Sequence, residues 1–353
     1  MRPIPRSVHR SAALAPFFSI AFFASAAPAP LPVWETSGPP LYQVNTVAAG
    51  PDLTVYAAGA DYAASQGALF KSVDGGANWD AVADAARNEY FSGILADVRN
   101  PQRVYAGAGS GGATNIYRST DAGGTWSLST TLSTYCGPSF ATGAAADTVV
   151  FSCGSRFLRS DDAGKSWREL PTPFTESVRL TSGPGGLLFA YGPTRVFKSN
   201  SDGNAWVAAG SAPPGCPGLN SLRVDPRGAS VYVGGTGLLG PGGFQCGGVF
   251  RSTNAGGTWS PGTLSDVYVT DIAIDAEDPA LVYASASYIA GILPKGGVYV
   301  SRDGGAAWND LHLPALGALR LALPPSGRIL YAATSLGVYA HRVRKTTAVA
   351  PRP

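Results

Sequence analysis

Charge is scarce in this chain: only 14% of its residues are Asp, Glu, Lys or Arg. Histidine occurs three times, at His9, His312 and His341, and methionine once. No long apolar stripe recurs at the 3.6-residue period, so a helical domain is not expected. No two cysteines have CxxC spacing, which argues against a zinc or thiol-redox site. Nucleophile-elbow and phosphate-loop patterns are missing. With so few histidines, a Ser-His-Asp hydrolase is not expected either. No metal or cofactor is implied.

Turn-forming residues are abundant instead, with 45 Gly and 28 Pro. That composition suits many short strands joined by tight turns. The 353 residues are enough for one large domain or two ordinary ones.

The first residues read as an export signal over 1–26. Arg2, Arg6 and Arg10 supply a positive start. Ala12 to Ala24 is apolar, and Ala24-Ser25-Ala26 has the small-x-small cleavage pattern. The apolar run is too short to span a bilayer. Residues 27–32 read as a Pro/Ala linker and 342–353 as a basic, disordered tail. Without the leader the chain carries 23 basic and 23 acidic residues. The body from Ala27 to Ala340 is net acidic, which argues against nucleic-acid binding. The expected location is periplasmic or extracellular.

A motif recurs along the chain: Ser-x-Asp-x-Gly-x-x-Trp. It stands at Ser72-Asp74-Gly76-Trp79, Ser119-Asp121-Gly123-Trp126 and Ser160-Asp162-Gly164-Trp167. Ser199-Ser201-Gly203-Trp206 and Ser252-Asn254-Gly256-Trp259 vary the acidic position, and Ser301-Asp303-Gly305-Trp308 restores it. Ser to Trp is always seven residues, while successive Ser residues lie 47, 41, 39, 53 and 49 apart. A fixed motif with an elastic spacer marks a repeated structural unit. Asp, Asn or Ser can accept backbone N–H bonds at a turn, and Gly takes the positive-φ position. Trp then opens the next strand, so the motif reads as a hairpin clasp. Truncation of a buried Trp of this kind is expected to cost about 3–5 kcal/mol.

Three short strands precede each clasp, as in "NTVAAG", "TVYAAG" and "GALFKS". Four-stranded units of this length are propeller blades. The C-terminal stretch "LRLALPPSGRILYAATSLGVYAHR" repeats three strands without a clasp. Trp34 is the one tryptophan that no clasp uses. The chain is therefore expected to be all-β, a single seven-bladed propeller over 33–341. Its N-terminal strand would complete the last blade. Four cysteines allow three pairings. Cys136–Cys153 and Cys216–Cys246 are favoured because each falls within one blade.

Six in-frame copies of Ser-x-Asp-x-Gly-x-x-Trp resemble the Asp-box, or bacterial neuraminidase repeat, of sialidase-like propellers. Sortilin-type and photosystem II assembly-factor-like relatives share it. The resemblance covers essentially the whole chain after the leader and implies a fold rather than an activity. It also implies that the clasps lie on the face opposite any substrate. A sialidase of this kind would need three Arg to clamp a carboxylate, a Tyr–Glu pair and an acidic proton carrier. Arg179, Arg223 and Arg320 lie on three inner strands, with Arg320 reading one residue out of phase. The family's N-terminal Arg-Ile-Pro element is absent after the leader. A xyloglucanase of this kind sets its carboxylates across a cleft between two propellers, whereas this chain holds one. Asp97, Asp225 and Asp275 recur where inner strands end and read as turn caps.

Loops around 59–68, 107–115, 235–247 and 285–296 read as long. They carry Leu238, Leu239, Phe244, Tyr288, Ile289, Ile292 and Leu293, apolar residues suited to a partner. The leading expectation is an exported, monomeric, non-catalytic module that binds a protein or glycan through the rim opposite the clasps. The alternative is a sialidase-like exo-glycosidase.

Overall fold

The computed structural model describes residues 33–39, 43–61, 66–82, 89–240, 243–287 and 296–343. The expected leader, the linker and the tail beyond 343 lie outside them. The described residues form seven four-stranded antiparallel sheets. The inner strands are Gln43–Ala49, Tyr90–Ala96, Ser139–Thr142, Arg179–Ser182, Leu219–Val224, Tyr268–Ile274 and Arg320–Ala322. Each adjoins the next, and the seventh adjoins the first, so the sheets form a ring. The one helical element among the described residues is the single turn Pro184–Gly186.

The ring closes where the spare tryptophan predicts. Strand Trp34–Gly38 is the outer strand of the seventh blade and pairs with Gly337–Arg342. It is fastened on both sides. Trp34 Nε1 donates to the Leu311 carbonyl of the sixth blade at 2.8 Å. Ser37 Oγ donates to the Gly76 carbonyl in the first clasp at 2.7 Å, and Trp79 Nε1 donates to the Ser37 carbonyl. Gly76 has φ +92°, and a Cβ there would overlap Ser37 Oγ. Both the turn and the approach of the closing strand require this glycine.

The clasp geometry follows from its residue types. Ser119 Oγ accepts the Gly123 N–H at 2.8 Å and donates to Asp121 Oδ1 at 2.7 Å. Asp121 then accepts the Thr125 N–H at 2.8 Å and the Thr125 hydroxyl at 2.7 Å. In the fifth blade Asn254 Oδ1 takes the corresponding N–H from Thr258. In the fourth, Ser201 Oγ takes it from Ala205. The clasp needs an oxygen acceptor there, not a charge.

The tryptophans are half-buried rather than fully buried, which departs from expectation. The deepest aromatic places between blades go to Tyr56, Tyr105, Tyr232, Tyr283 and Tyr331 on the second strands. Tyr56 Oη donates to the Ala122 carbonyl in the next blade's clasp at 2.9 Å. Tyr232 does the same to Gly304 at 3.0 Å. Burial pushes the Tyr56 phenol up to about 12. The third and fourth blades place Val150 and Phe189 at this position, and both are fully buried.

Cys136 is bonded to Cys153 and Cys216 to Cys246, each pair within one blade. No helix among the described residues is long and apolar enough to cross a membrane.

Two outcomes are expected. Hydrogen bonds from Asn78 hold the Asp74 carboxyl at about 2, and those from Thr125 hold Asp121 at about 2, below an ordinary 3.8. A depressed folded-state value gives stability that is present above about pH 4 and lost as pH falls towards about 2. The melting temperature should drop through that window, and the double variant Asp74→Asn, Asp121→Asn should flatten the drop. Removing residues 33–38 should lower Tm on the order of 5–10 °C by baring the edge of strand Gly337–Arg342 and removing the ties to Leu311 and Gly76. A calorimetric scan reads both.

Candidate functional site

The seven inner strands surround a central cavity of about 470 Å³. It opens at the inner-strand starts, the end of the ring opposite the clasps. A second cavity of about 290 Å³ occupies the clasp end and is lined largely by aliphatic side chains, Ile94, Val224, Ile272 and Ile274 among them. Polar side chains concentrate in the upper cavity: Asn45, Ser139, Asn220, Asp271 and three arginines.

Those arginines are Arg179, Arg223 and Arg320, and the fold brings them into one cavity. Arg179 sits opposite Tyr191 on its neighbouring strand, and Arg320 opposite Ala333. Arg223 sits opposite Tyr232, the counterpart of Tyr331, and so lies two residues nearer the clasps. The offset is two residues rather than one. A strand alternates sides with period two, so all three side chains share the channel face. The expected phase mismatch is thereby corrected.

Four of the inner strands also carry bulges. The inner strands of the first, second, fifth and sixth blades shift register around Asn45, Ser92, Asn220 and Thr270. An extra residue re-aims a strand locally, and letter alignment does not reveal it. The bulge residues also stitch the ring. Asn220 Nδ2 donates to the Val269 carbonyl at 2.8 Å, and Thr270 Oγ1 to the Ala318 carbonyl at 2.5 Å. Both bonds cross to the next inner strand.

Each arginine is partly pinned. Arg179 Nη1 donates to the Asn220 carbonyl at 3.1 Å. Arg320 Nη1 donates to the Thr270 and Leu319 carbonyls. Arg223 Nη2 donates to Asp271 Oδ1 at 2.8 Å. Asp271, which sequence reasoning did not single out, is the one carboxylate among the described residues lining this cavity. It also accepts the Ser221 hydroxyl and the Ile272 and Leu321 N–H groups. With four donors it serves as an anchor between blades and has little capacity left as a proton carrier.

Three guanidiniums against one carboxylate leave the cavity electropositive. Burial acts against the charge on Arg223, but Asp271 and then Tyr191 outweigh it and raise its pKa. Burial lowers the Arg320 pKa, with Arg179 and Arg223 adding to the effect and Asp271 opposing it. Guanidiniums crowded in this way favour an incoming anion.

The remaining candidates lie elsewhere. Asp97, Asp225 and Asp275 each accept a backbone N–H two residues on, from Arg99, Arg227 and Glu277, at the clasp end. The expected long loop at 107–115 is instead a hairpin with the two-residue turn Gly111-Gly112. That at 235–247 is a long ladder, Val231–Gly240 with Gly243–Ser252. Leu238, Leu239 and Phe244 stand in its paired backbone, and their side chains are outside the description. Tyr288, Ile289, Ile292 and Leu293 lie outside the described residues altogether. Among the described residues no group of three His, Cys, Asp or Glu is placed to hold a metal.

No family model matches the chain. Over 294 residues it is 27% identical to a xyloglucanase of Hypocrea jecorina, covering 76% of this chain and 32% of that protein. The chain thus spans about a third of the length of that relative. The GH74 xyloglucanase structure from Xanthomonas campestris aligns with a TM-score of 0.67 at 18% identity, over 91% of this chain and 55% of that one. The Niastella koreensis GH74 enzyme gives 0.55 at 15% identity, over 85% and 65%. A chain of the mitotic checkpoint complex gives 0.66 at 14%, over 98% and 99%. Likenesses this distant show the propeller fold. The xyloglucanase sequence match overturns the expectation of a non-catalytic binding module. That expectation rested on finding no catalytic set, and blade-to-blade convergence hides such sets in a linear reading.

Asp271→Ala would leave Arg223 without its counter-charge and remove the anchor to Leu321. It is expected to destabilise the ring by about 3–5 kcal/mol, read as a lower denaturation midpoint in urea.

Proposed function

We propose that the chain is a glycoside hydrolase that receives its saccharide at the channel mouth opposite the clasps. The observation that carries this reading is the 27% identity to a xyloglucanase over 294 residues. The polar upper cavity supports it, since a sugar needs hydrogen-bonding groups around an open concave site. Glycosidic hydrolysis calls for two carboxyl groups in defined roles. Asp271 is engaged in holding blades together, so the acid–base pair belongs on the rim around the mouth. The test is release of reducing ends from xyloglucan and other β-glucans. Turnover of at least one of these is expected; absence of release from all of them overturns the reading.

A second reading has its own observation. Arg179, Arg223 and Arg320 converge with a single opposing carboxylate, an arrangement suited to the carboxylate of an acidic sugar. This is the sialidase-like exo-glycosidase. Arg179 has one backbone contact and no carboxylate partner holding it. On this reading fluorogenic sialosides are turned over, and Arg179→Ala raises KM for them about tenfold or more. An unchanged KM removes the clamp.

A further inference from the structure

One aromatic ring near the mouth is built differently from other exposed apolar side chains. Tyr135 is 60% exposed, yet the residues before and after it are fixed. Thr114 Oγ1 donates to the Thr134 carbonyl at 2.8 Å and accepts the Cys136 N–H at 2.8 Å. Those two bonds bracket Tyr135. Cys136 is tied to Cys153 on the second strand of the third blade. Two residues on, Gly137 and Pro138 line the upper cavity.

The underlying strand is cut to fit. Strand Val104–Ser110 carries Gly107 and Gly109. A Cβ on Gly109 would overlap the Tyr135 ring, and a Cβ on Gly107 would overlap Pro138. Glycine inside a strand costs stability, and its presence marks a close approach. Here the approach seats the ring of Tyr135, two residues before the cavity-lining Gly137, against Gly109 and leaves the rest of the ring in solvent. A freely moving surface tyrosine would need none of these restraints.

We propose that Tyr135 is a stacking platform for a sugar ring of a bound oligosaccharide, one position out from the channel. The inference rests on the glycoside-hydrolase reading and names a subsite for it. A pyranose presents a face of C–H groups that suits the flat, electron-rich face of an aromatic ring. A rigid ring loses little conformational freedom on binding, so more of the contact appears as affinity. The phenol hydroxyl stays available to a sugar hydroxyl.

Affinity electrophoresis of the full chain in gels containing xyloglucan tests this, run beside the reducing-end assay. Tyr135→Ala is expected to weaken retention about tenfold, the worth of one aromatic contact. Tyr135→Trp should keep it. Gly109→Ala, which displaces the ring and leaves Tyr135 in the sequence, should weaken it as Tyr135→Ala does. Melting curves show whether each variant is folded; should Tyr135→Ala not fold, Tyr135→Leu takes its place. Retention of Tyr135→Ala equal to that of the unaltered chain, with reducing ends still released, overturns the platform and leaves the enzyme reading standing. An unaltered chain that is neither retained by xyloglucan nor active on any glycan overturns both.

Discussion

Strand Trp34–Gly38 completes the ring, because without it the seventh sheet would keep three strands and lose its ties to the blades on both sides. It is held from both directions, by the Leu311 carbonyl behind it and by the Gly76 clasp ahead. With seven complete sheets only short edges face outwards, and every inner strand is packed between two neighbours. The channel exists only under that constraint. The inner strands of the fourth, fifth and seventh blades must all face one axis before Arg179, Arg223 and Arg320 share a cavity.

The clasps and the channel divide the labour. Clasp serines and acids satisfy local backbone donors, and the second-strand tyrosines Tyr56 and Tyr232 tie the first and fifth blades to the next at that end. At the opposite end the bulged inner strands do the tying, through Asn220 and Thr270. The clasp end is therefore nearly interchangeable from blade to blade. The mouth end is not, since each inner strand presents a different side chain there. Individuality at the mouth gives a site its chemistry, while uniformity at the clasps gives the ring its stability.

Much of this was legible in the sequence, and the boundary of legibility has a physical cause. The clasp is a local structure, so seven residues suffice to announce it. Trp34 and the closing strand followed from a tryptophan without a clasp, and both disulfides from the blade boundaries. The three arginines were found, but their register was misjudged because letters aligned between blades do not show which residues pair across a sheet. Asp271 went unnoticed because its partners, Ser221, Arg223 and Leu321, lie about 50 residues away. The two glycines of "YAGAGS" were the one written sign of the Tyr135 seat. They could have been read as clearance for a neighbouring ring. The stretches taken for loops at 107–115 and 235–247 turned out to be paired strand, because hairpin ladders continue past the body of a blade.

Asp271 decides how much positive charge the channel leaves uncompensated. Its two oxygens are already engaged by Ser221, Arg223 and backbone N–H groups, so it takes up only part of the positive charge around it. Arg179 and Arg320 keep donors directed by backbone carbonyls rather than by a carboxylate. A fully paired set of guanidiniums would repel nothing and attract nothing. A set with no carboxylate would be too costly to bury. One carboxylate for three guanidiniums lies between these limits: the ring folds with its charges in place, and the excess positive charge faces the channel.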